Sequence, residues 1–254
     1  MKNIIIVVLV LSLFSCANNN KKEKTIVANK ESTPVTKDSS TEVSKIPANG
    51  KCNIENEVSS LGIGVVIAPV KLAIYDDSLL LGKPVMIDMY AQSETLTGYC
   101  TLTFSPEYGL MHFACTGKTA KAYQVLINYS QVKYLPKEKG YKFQTWEQYI
   151  ESSFGVRRKT IGTGKQEKPI GTLHKEPNDK ADTITIPDGH EMFCAMQAQG
   201  DWVKVQYNCF YNMEHDPYEG QPCHNFIQKC KDPLTGWLRW REGNKLLIDI
   251  FLMP

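Results

Sequence analysis

The sequence has no excess of charge of either sign. Its 254 residues include 29 lysines and arginines and 27 aspartates and glutamates, which leaves a formal net charge of +2 at pH 7. Nucleic-acid-binding domains usually carry a strongly basic surface, so we expect no nucleic-acid partner. The sequence also lacks long apolar runs. Residues 4–14 form an apolar run that is much shorter than the roughly 20 residues a membrane-spanning helix needs.

Recognisable catalytic signatures are absent as well. Gly-Lys-Thr at 117–119 matches the end of a phosphate-binding loop, but that loop needs a glycine five residues earlier, where His112 stands. Neither a Gly-x-Ser-x-Gly elbow nor a His-Glu-x-x-His zinc motif occurs. Cys115 with His112 or His190 is the one obvious nucleophile–base pairing, and on one strand His112 and Cys115 would point to opposite faces. We therefore predict a non-catalytic protein with no cofactor and no metal.

The N-terminus has the pattern of an export signal. Lys2 precedes the apolar run at 4–14, and residues 13–16 read Leu-Phe-Ser-Cys. The Leu-x-Ser-Cys ending resembles the lipobox of bacterial lipoproteins, in which the cysteine becomes the lipidated N-terminus. The resemblance implies a lipid on Cys16 and a place in the cell envelope. Ala17 is not the aspartate that retains many lipoproteins at the inner membrane, which favours the outer membrane. An ordinary secretory signal is the alternative.

After a signal peptide at 1–15, residues 16–50 are mostly Lys, Asn, Ser, Thr and Glu. Such a segment has too little apolar surface to offset the entropy of ordering, so we predict a disordered tether. Residues 51–155 then contain short β-branched or aromatic stretches separated by Gly, Pro, Asp and Ser, which predict a β-rich domain. The stretches are 65–67, 70–75, 85–90, 99–104, 110–115 and 123–129.

The turn at 105–109 allows a register to be predicted. If Phe104 faces Met111 in an antiparallel hairpin, Cys100 and Cys115 lie directly opposite each other. Disulfides persist outside the cytoplasm, so we predict a bridge between these two cysteines. The alternative is that both are small, buried, unpaired thiols.

One helix and one linker are predicted next. Thr145 and Gln148 have the spacing of a capping box, in which each caps a backbone N–H of the other. The helix should run from 146 to 153 and stop before Gly155. Residues 156–167 are basic and contain two glycines, which indicates a linker between two domains.

Residues 168–254 carry a resemblance to a known family. They contain Pro177 in a long first loop, Ile-Pro-Asp-Gly at 186–189, Gly-Asp-Trp-Val-Lys-Val at 200–205 and Gly-Trp-Leu at 236–238. This order resembles the bacterial SH3-like domain, a small five-stranded barrel. The implied fold class is mainly β: an SH3-like five-stranded barrel preceded by a β-rich domain with one short helix. A weak internal echo raises the alternative that the first domain is a degenerate copy of the same barrel.

The resemblance also implies a binding surface. Members of the family often bind cell-wall peptides or other extended peptides across an aromatic-lined groove. The candidate ligand-binding residues in this sequence are Trp202, Tyr211, Tyr218, Trp237 and Trp240. The alternative is that these rings only fill the interior of a small barrel.

The sequence departs from the family at 208–235, where a short turn is replaced by an insertion with Cys209, Cys223 and Cys230. With Cys194 on the preceding strand, four cysteines allow two disulfides in three connectivities. A Cys209–Cys230 bridge would staple the base of the insertion. Loops held by a rigid barrel often carry function, so the insertion is also a candidate binding surface.

A zinc site is the alternative reading of the insertion. His215 and His224 together with its three cysteines would supply imidazole and thiolate, the ligands that zinc prefers. The spacings do not match a compact Cys-x-x-Cys knuckle. With Cys16 assigned to lipid, seven cysteines remain, including Cys52. An odd number leaves at least one that has no partner within the chain.

These observations predict a lipid-anchored envelope protein whose partners are the membrane, through its lipid, and cell-wall material or an envelope protein. Two further hypotheses stay open. One is an inhibitor or immunity-type lipoprotein that blocks a toxin or hydrolase with the insertion. The other is a cell-wall peptidase with an unrecognised Cys–His site.

Overall fold

The computed structural model describes residues 58–91, 99, 101–128, 131–162 and 164–253. All of these residues belong to one compact unit, Lys45–Pro254. The predicted signal peptide, the predicted lipidation site Cys16 and the predicted tether lie outside the described residues. Within the described ranges, no helix has the length and apolar character that crossing a membrane requires.

Strands make up most of the regular structure in the described ranges. The first group is β1 (Gly64–Ile67), β2 (Lys71–Ile74), β3 (Val85–Asp88), β4 (Thr103–Ser105), β5 (Leu110–Lys118), β6 (Ala122–Leu126), β7 (Val132–Pro136) and β8 (Lys142–Gln144). The helix α1 (Trp146–Glu151) follows. The second group is β9 (Gly155–Arg158), β10 (Thr160–Ile161), β11 (Lys168–Pro169), β12 (Leu173–His174), β13 (Thr183–Ile184), β14 (Phe193–Gln199), β15 (Trp202–Tyr207), β16 (Thr235–Arg239), β17 (Arg241–Glu242), β18 (Lys245–Leu246) and β19 (Ile248–Phe251). Short 3-10 helices lie at Met89–Ala91, Pro106–Tyr108, Gly164–Gln166, Cys223–Asn225 and Ile227–Lys229.

The first sheet is antiparallel, with strand order β7-β6-β5-β1-β8 and β4 also paired to β5. Its long central strand β5 is buried on both faces. Met111, Phe113 and Cys115 belong to one core cluster, whereas Ala114 belongs to another. This alternation is the period of two expected of a strand. The β2–β3 hairpin packs on the Met111 side, to which it contributes Leu72.

Most strands lie where the sequence predicts them, because their alternating apolar pattern and flanking turns are local signals. The predicted hairpin register is confirmed: Phe104 lies opposite Met111. Within the predicted stretch 99–104, strand β4 begins at Thr103, and the backbone N–H of Leu102 also donates to the carbonyl oxygen of His112 on β5 (2.9 Å).

The predicted disulfide at Cys115 is wrong. Cys115 carries a free, buried thiol that donates a hydrogen bond to the carbonyl oxygen of Gly117 (3.2 Å), and Cys100 lies outside the described residues. β4 pairs with β5 only as far as His112. At Cys115 the neighbour on that edge is Val125 of β6. The register therefore does not extend to Cys115, because another strand takes the place that the continued hairpin would occupy.

The predicted capping box is confirmed. The hydroxyl of Thr145 accepts a hydrogen bond from the backbone N–H of Gln148 (3.3 Å), and the Gln148 side chain accepts one from the backbone N–H of Thr145 (3.1 Å). The helix ends at Glu151, two residues before the predicted end. Its buried side chains are Trp146, Tyr149 and Ile150.

The second sheet has the order β13-β12-β16-β15-β14-β9-β19 and is antiparallel throughout. It corrects the predicted linker at 156–167, because that segment begins inside β9, between β14 and β19. Val156 is fully buried there. One of the charges that suggested a linker is paired within the fold, since the guanidinium of Arg158 donates two hydrogen bonds to the carboxylate of Glu191, just before β14.

A single core cluster joins the two halves of the described chain. Val65 of the first sheet and Trp146 of α1 share it with Val203 and Trp240 of the second half. The boundary predicted near residue 155 therefore does not separate two cores. The fold is mainly β, with a curled half-barrel sheet and, in the described ranges, one α-helix.

Candidate functional site

Two disulfides tie the insertion to the second sheet. Cys194 of β14 is bonded to Cys223, and Cys209 is bonded to Cys230, with Cα–Cα distances of 5.5 and 5.9 Å. The predicted staple between Cys209 and Cys230 is confirmed. None of the three cysteines in the alternative zinc set offers a thiolate, because all are disulfide-bonded. The described residues also contain no group of three His, Cys, Asp or Glu side chains suited to a metal ion.

An aromatic cluster fills the interior of the insertion. Tyr218 stacks on Phe226 with ring centroids 5.1 Å apart and planes 4° from parallel. Phe210 meets both rings edge-on, at 4.7 Å from Tyr218 and 5.9 Å from Phe226. Packed aromatic pairs of this kind add about 0.5–1.5 kcal/mol each beyond the burial of their area. The insertion therefore has a small core of its own, next to its two disulfides.

Hydrogen bonds fix the insertion to the surrounding loops. The side-chain amide of Asn212 donates to the carbonyl oxygen of Gly189 and to the hydroxyl of Tyr207, both at 3.0 Å. The backbone N–H of Asn208 donates to the carbonyl oxygen of Met192 (2.9 Å). The insertion is thus held by covalent bonds at its base and by polar contacts along its first half.

A cavity of about 450 Å³ opens beside the insertion. Volumes of this order are typical of small-ligand sites. Its apolar lining includes Met192, Tyr211, Met213, Tyr218, Phe226 and Phe251. Its polar lining includes Asn208, Glu214, Asp216, Glu219 and Gln221. Tyr211 and Met213 are each 52% exposed, so the apolar surface is open to solvent.

The structure separates the five predicted ligand-binding residues. Tyr211 and Tyr218 come together in the insertion cavity. Trp202 and Trp237 lie on the second sheet instead. Trp240 is fully buried, and its indole N–H donates to the carbonyl oxygen of Gly200 (2.9 Å). The prediction that Trp240 belongs to a ligand surface is therefore wrong: its ring is part of the shared core.

Trp202 and Trp237 share the outer face of the second sheet. Lys204 is paired with Trp237 on the neighbouring strand, and Trp202 lies two residues before Lys204, so all three point the same way. Trp202 also meets the ring of His174 edge-on, with centroids 5.2 Å apart. On the opposite face Val203 is buried in the core. This outer face, on which Trp202 and Trp237 are partly exposed, is a second candidate surface.

A second cavity, of about 490 Å³, lies beside α1 and β19 and was not predicted. Its lining includes Thr103, Trp146, Tyr149, Arg157, Ile250 and Leu252. The Arg157 guanidinium forms an ion pair with Asp249 (3.1 Å) at this cavity. These residues come from segments that are far apart in sequence, so no local pattern marks them.

The Cys–His pair of the peptidase alternative is not assembled. Cys115 packs in the core cluster on one face of β5, while His112 on the other face contacts the hydroxyl of Tyr149 through Nδ1 (2.8 Å). Burial lowers the pKa of His112 to about 4 and raises the pKa of the Cys115 thiol. His190 instead stacks near Tyr207, with centroids 4.2 Å apart.

Comparison of the chain with protein-family models, curated proteins and solved structures finds no match. The function therefore has to follow from the geometry of this chain.

Proposed function

We propose that this chain is a non-catalytic binding protein of the cell envelope, held to the membrane by a lipid on Cys16. It recognises cell-wall peptide or glycan, or an envelope protein, through its C-terminal half. The observation that carries this proposal is the cavity beside Tyr211 and Tyr218, on an insertion fixed by two disulfides. A preformed apolar cavity with a few converging polar groups is the usual form of a binding site.

An SH3-like organisation of the C-terminal half is part of the proposal. Five strands follow one antiparallel path, β19-β9-β14-β15-β16, in which the last strand of the chain pairs with β9. The motif Gly-Asp-Trp-Val-Lys-Val forms the turn and β15 at its centre. In this arrangement β9, which precedes the boundary predicted at residue 168, supplies the first strand. The segment from β9 to β14, which contains the short strands β10 to β13, takes the place of the long first loop.

An envelope location agrees with the chemistry of the insertion. Disulfides persist in oxidising compartments and are rare in the cytoplasm. The export signal and the lipobox-like Leu-Phe-Ser-Cys point to the same compartment, and we propose the outer membrane. Cell fractionation tests the anchor: a Cys16→Ala variant should leave the membrane fraction, whereas continued membrane association of that variant would refute lipidation at this site.

Inhibition of a toxin or hydrolase is the second candidate function. The exposed Tyr211 and Met213 favour it, because tyrosine and methionine are enriched in protein–protein interfaces. A wall-binding protein and an inhibitor differ in what they bind when no other protein is present.

Co-sedimentation with purified peptidoglycan separates the two functions. A wall-binding protein should pellet with the insoluble wall in a concentration-dependent manner, and excess soluble wall fragments should release it. A protein that stays in the supernatant at all concentrations would contradict wall binding and leave a protein, either an envelope protein or an inhibited toxin or hydrolase, as the partner.

A further inference from the structure

The charge of the insertion cavity is of one sign. Among the described residues, its lining contains three carboxylates, those of Glu214, Asp216 and Glu219, and no lysine, arginine or histidine. The net charge of the whole chain is +2, so this acidic lining is a local feature. A cavity with such a lining favours a cationic ligand.

These carboxylates are not neutralised within the described part of the chain. None of the ion pairs formed there includes Glu214, Asp216 or Glu219. Asp216 is nevertheless fixed in place, because its carboxylate accepts a hydrogen bond from the backbone N–H of Tyr218 (2.7 Å). At least one acidic group is thus oriented before any ligand arrives.

The apolar lining adds a second kind of complementarity. Tyr211 and Met213 are half-exposed, whereas Phe226 and Met192, which line the same cavity, are buried. A lysine-like side chain has a long alkyl stem and a compact ammonium head. Such stems lie along apolar surface while the charged head stays at a polar edge, which is the combination this cavity offers.

The same insertion already contains one contact between an ammonium group and an aromatic ring. Lys229, which does not line the cavity, places its Nζ 4.4 Å from the centroid of the Tyr218 ring. An ammonium over a tyrosine ring is stabilised by the ring's quadrupole, by about 0.5–1 kcal/mol at exposed sites. The more exposed ring of Tyr211 is available for the same contact with a ligand.

We infer that the insertion cavity binds the free amine and alkyl stem of a diamino-acid side chain in a short cell-wall peptide. This inference rests on the proposed envelope-binding function and names the group that is recognised. The volume of about 450 Å³ suits one such side chain with its neighbouring residues and is small for an entire protein loop.

The test uses the full chain in mild detergent and two blocked tripeptides. One is Ala–Lys–Ala, and the other is the same peptide with the lysine amine acetylated. Binding is followed by NMR of methyl-labelled methionines, since Met192, Met213 and Met253 line the cavity. The free-amine peptide should shift signals of these methionines, and the acetylated peptide should bind at least about tenfold more weakly, because acetylation removes the charge.

A charge variant locates the interaction. The triple variant Glu214→Gln, Asp216→Asn, Glu219→Gln keeps side-chain size, and the amide introduced by Asp216→Asn keeps an acceptor for the N–H of Tyr218. Each ion pair between an exposed carboxylate and the ligand ammonium contributes modestly to the binding free energy. We therefore expect binding of the free-amine peptide to be about tenfold weaker when all three carboxylates are replaced. The matched control Glu176→Gln, Asp188→Asn, Asp232→Asn removes the same charge at exposed sites outside the cavity, and it should bind like the wild type.

Equal binding of the free and acetylated peptides, or equal weakening in the two triple variants, would overturn the inference. Co-sedimentation with peptidoglycan then separates this failure from failure of the proposed function. Wall binding that persists when wall amines are acetylated overturns the inference and leaves the wall-binding function standing. Absence of wall binding together with absence of methionine shifts overturns both.

Discussion

Trp146 of α1 and Trp240 of the second half pack directly against each other, with ring centroids 5.5 Å apart and planes tilted by 33°. Each indole N–H is also satisfied within its own half: Trp146 donates to the carbonyl oxygen of Leu61 (2.8 Å), and Trp240 donates to that of Gly200 (2.9 Å). The contact lies in the core cluster shared by the two halves, so they should unfold as one unit.

A Trp240→Ala variant tests this cooperativity. Removing a buried tryptophan ring typically costs about 3–5 kcal/mol, and the loss should appear in one denaturant transition seen by probes in both halves. Trp237→Ala is the control, because truncating the half-exposed Trp237 should cost much less. Two separate transitions in the wild type, with only one of them moved by Trp240→Ala, would show independent domains.

His112 should make stability depend on pH. In an unfolded chain a histidine takes up its proton near pH ~6.5, whereas burial lowers the pKa of His112 in the folded protein to about 4. Between these values the unfolded state binds more protons. The free energy of unfolding should therefore fall as the pH drops from about 6.5 to about 4, by up to about 3 kcal/mol.

Urea unfolding of a His112→Gln variant across this pH range measures the effect. In the His112→Gln variant the free energy of unfolding should no longer show this fall with pH. The control His215→Gln, at an exposed site, should still show it. A slope unchanged by His112→Gln would mean that His112 is protonated equally in both states.

The Cys209–Cys230 bridge should stabilise the insertion and, through it, binding. The two cysteines are 21 residues apart in the sequence. From the entropy of closing a loop of this length, removal of the bridge should lower the free energy of unfolding by about 3 kcal/mol. The double variant Cys209→Ser, Cys230→Ser should unfold at lower denaturant and bind the wall more weakly. Cys115→Ala, which removes a thiol that forms no bridge, should leave wall binding intact. Undiminished wall binding by the double variant would place the site elsewhere.

The capping box should contribute to the stability of α1. Thr145→Ala removes the acceptor for the N–H of Gln148 and should lower the free energy of unfolding by about 1 kcal/mol. Thr145→Ser keeps the hydroxyl and is the control. Equal losses in the two variants would assign the effect to the methyl group of Thr145.

Local signals in the sequence predicted the elements that depend on neighbours in the chain. The capping box of α1 and the Phe104–Met111 register are both of this kind. Strand β9 was missed because the burial of Val156 depends on Phe193 and Ile250, which are distant in sequence. Two consecutive arginines in β9 gave it the composition of a linker.

The sequence predicted only the part of the candidate site that is formed by residues close together in the chain. Tyr211 and Tyr218 are near each other in the sequence, whereas Met192 and Phe251 reach the cavity from separate strands or loops. Trp240 could have been assigned to the core from alternation alone. It lies two residues after the buried Leu238, on the side opposite Trp237.

We propose that the insertion cavity, and not the outer sheet face, holds the envelope ligand. The most direct test measures co-sedimentation with peptidoglycan for two variants. One is the double variant Tyr211→Ala, Met213→Ala, and the other is the single variant Trp237→Ala. The exposed positions of Tyr211 and Met213 let both changes be made without opening the core. The double variant should lose wall binding, whereas Trp237→Ala should keep it. Loss with Trp237→Ala and retention by the double variant would contradict this proposal.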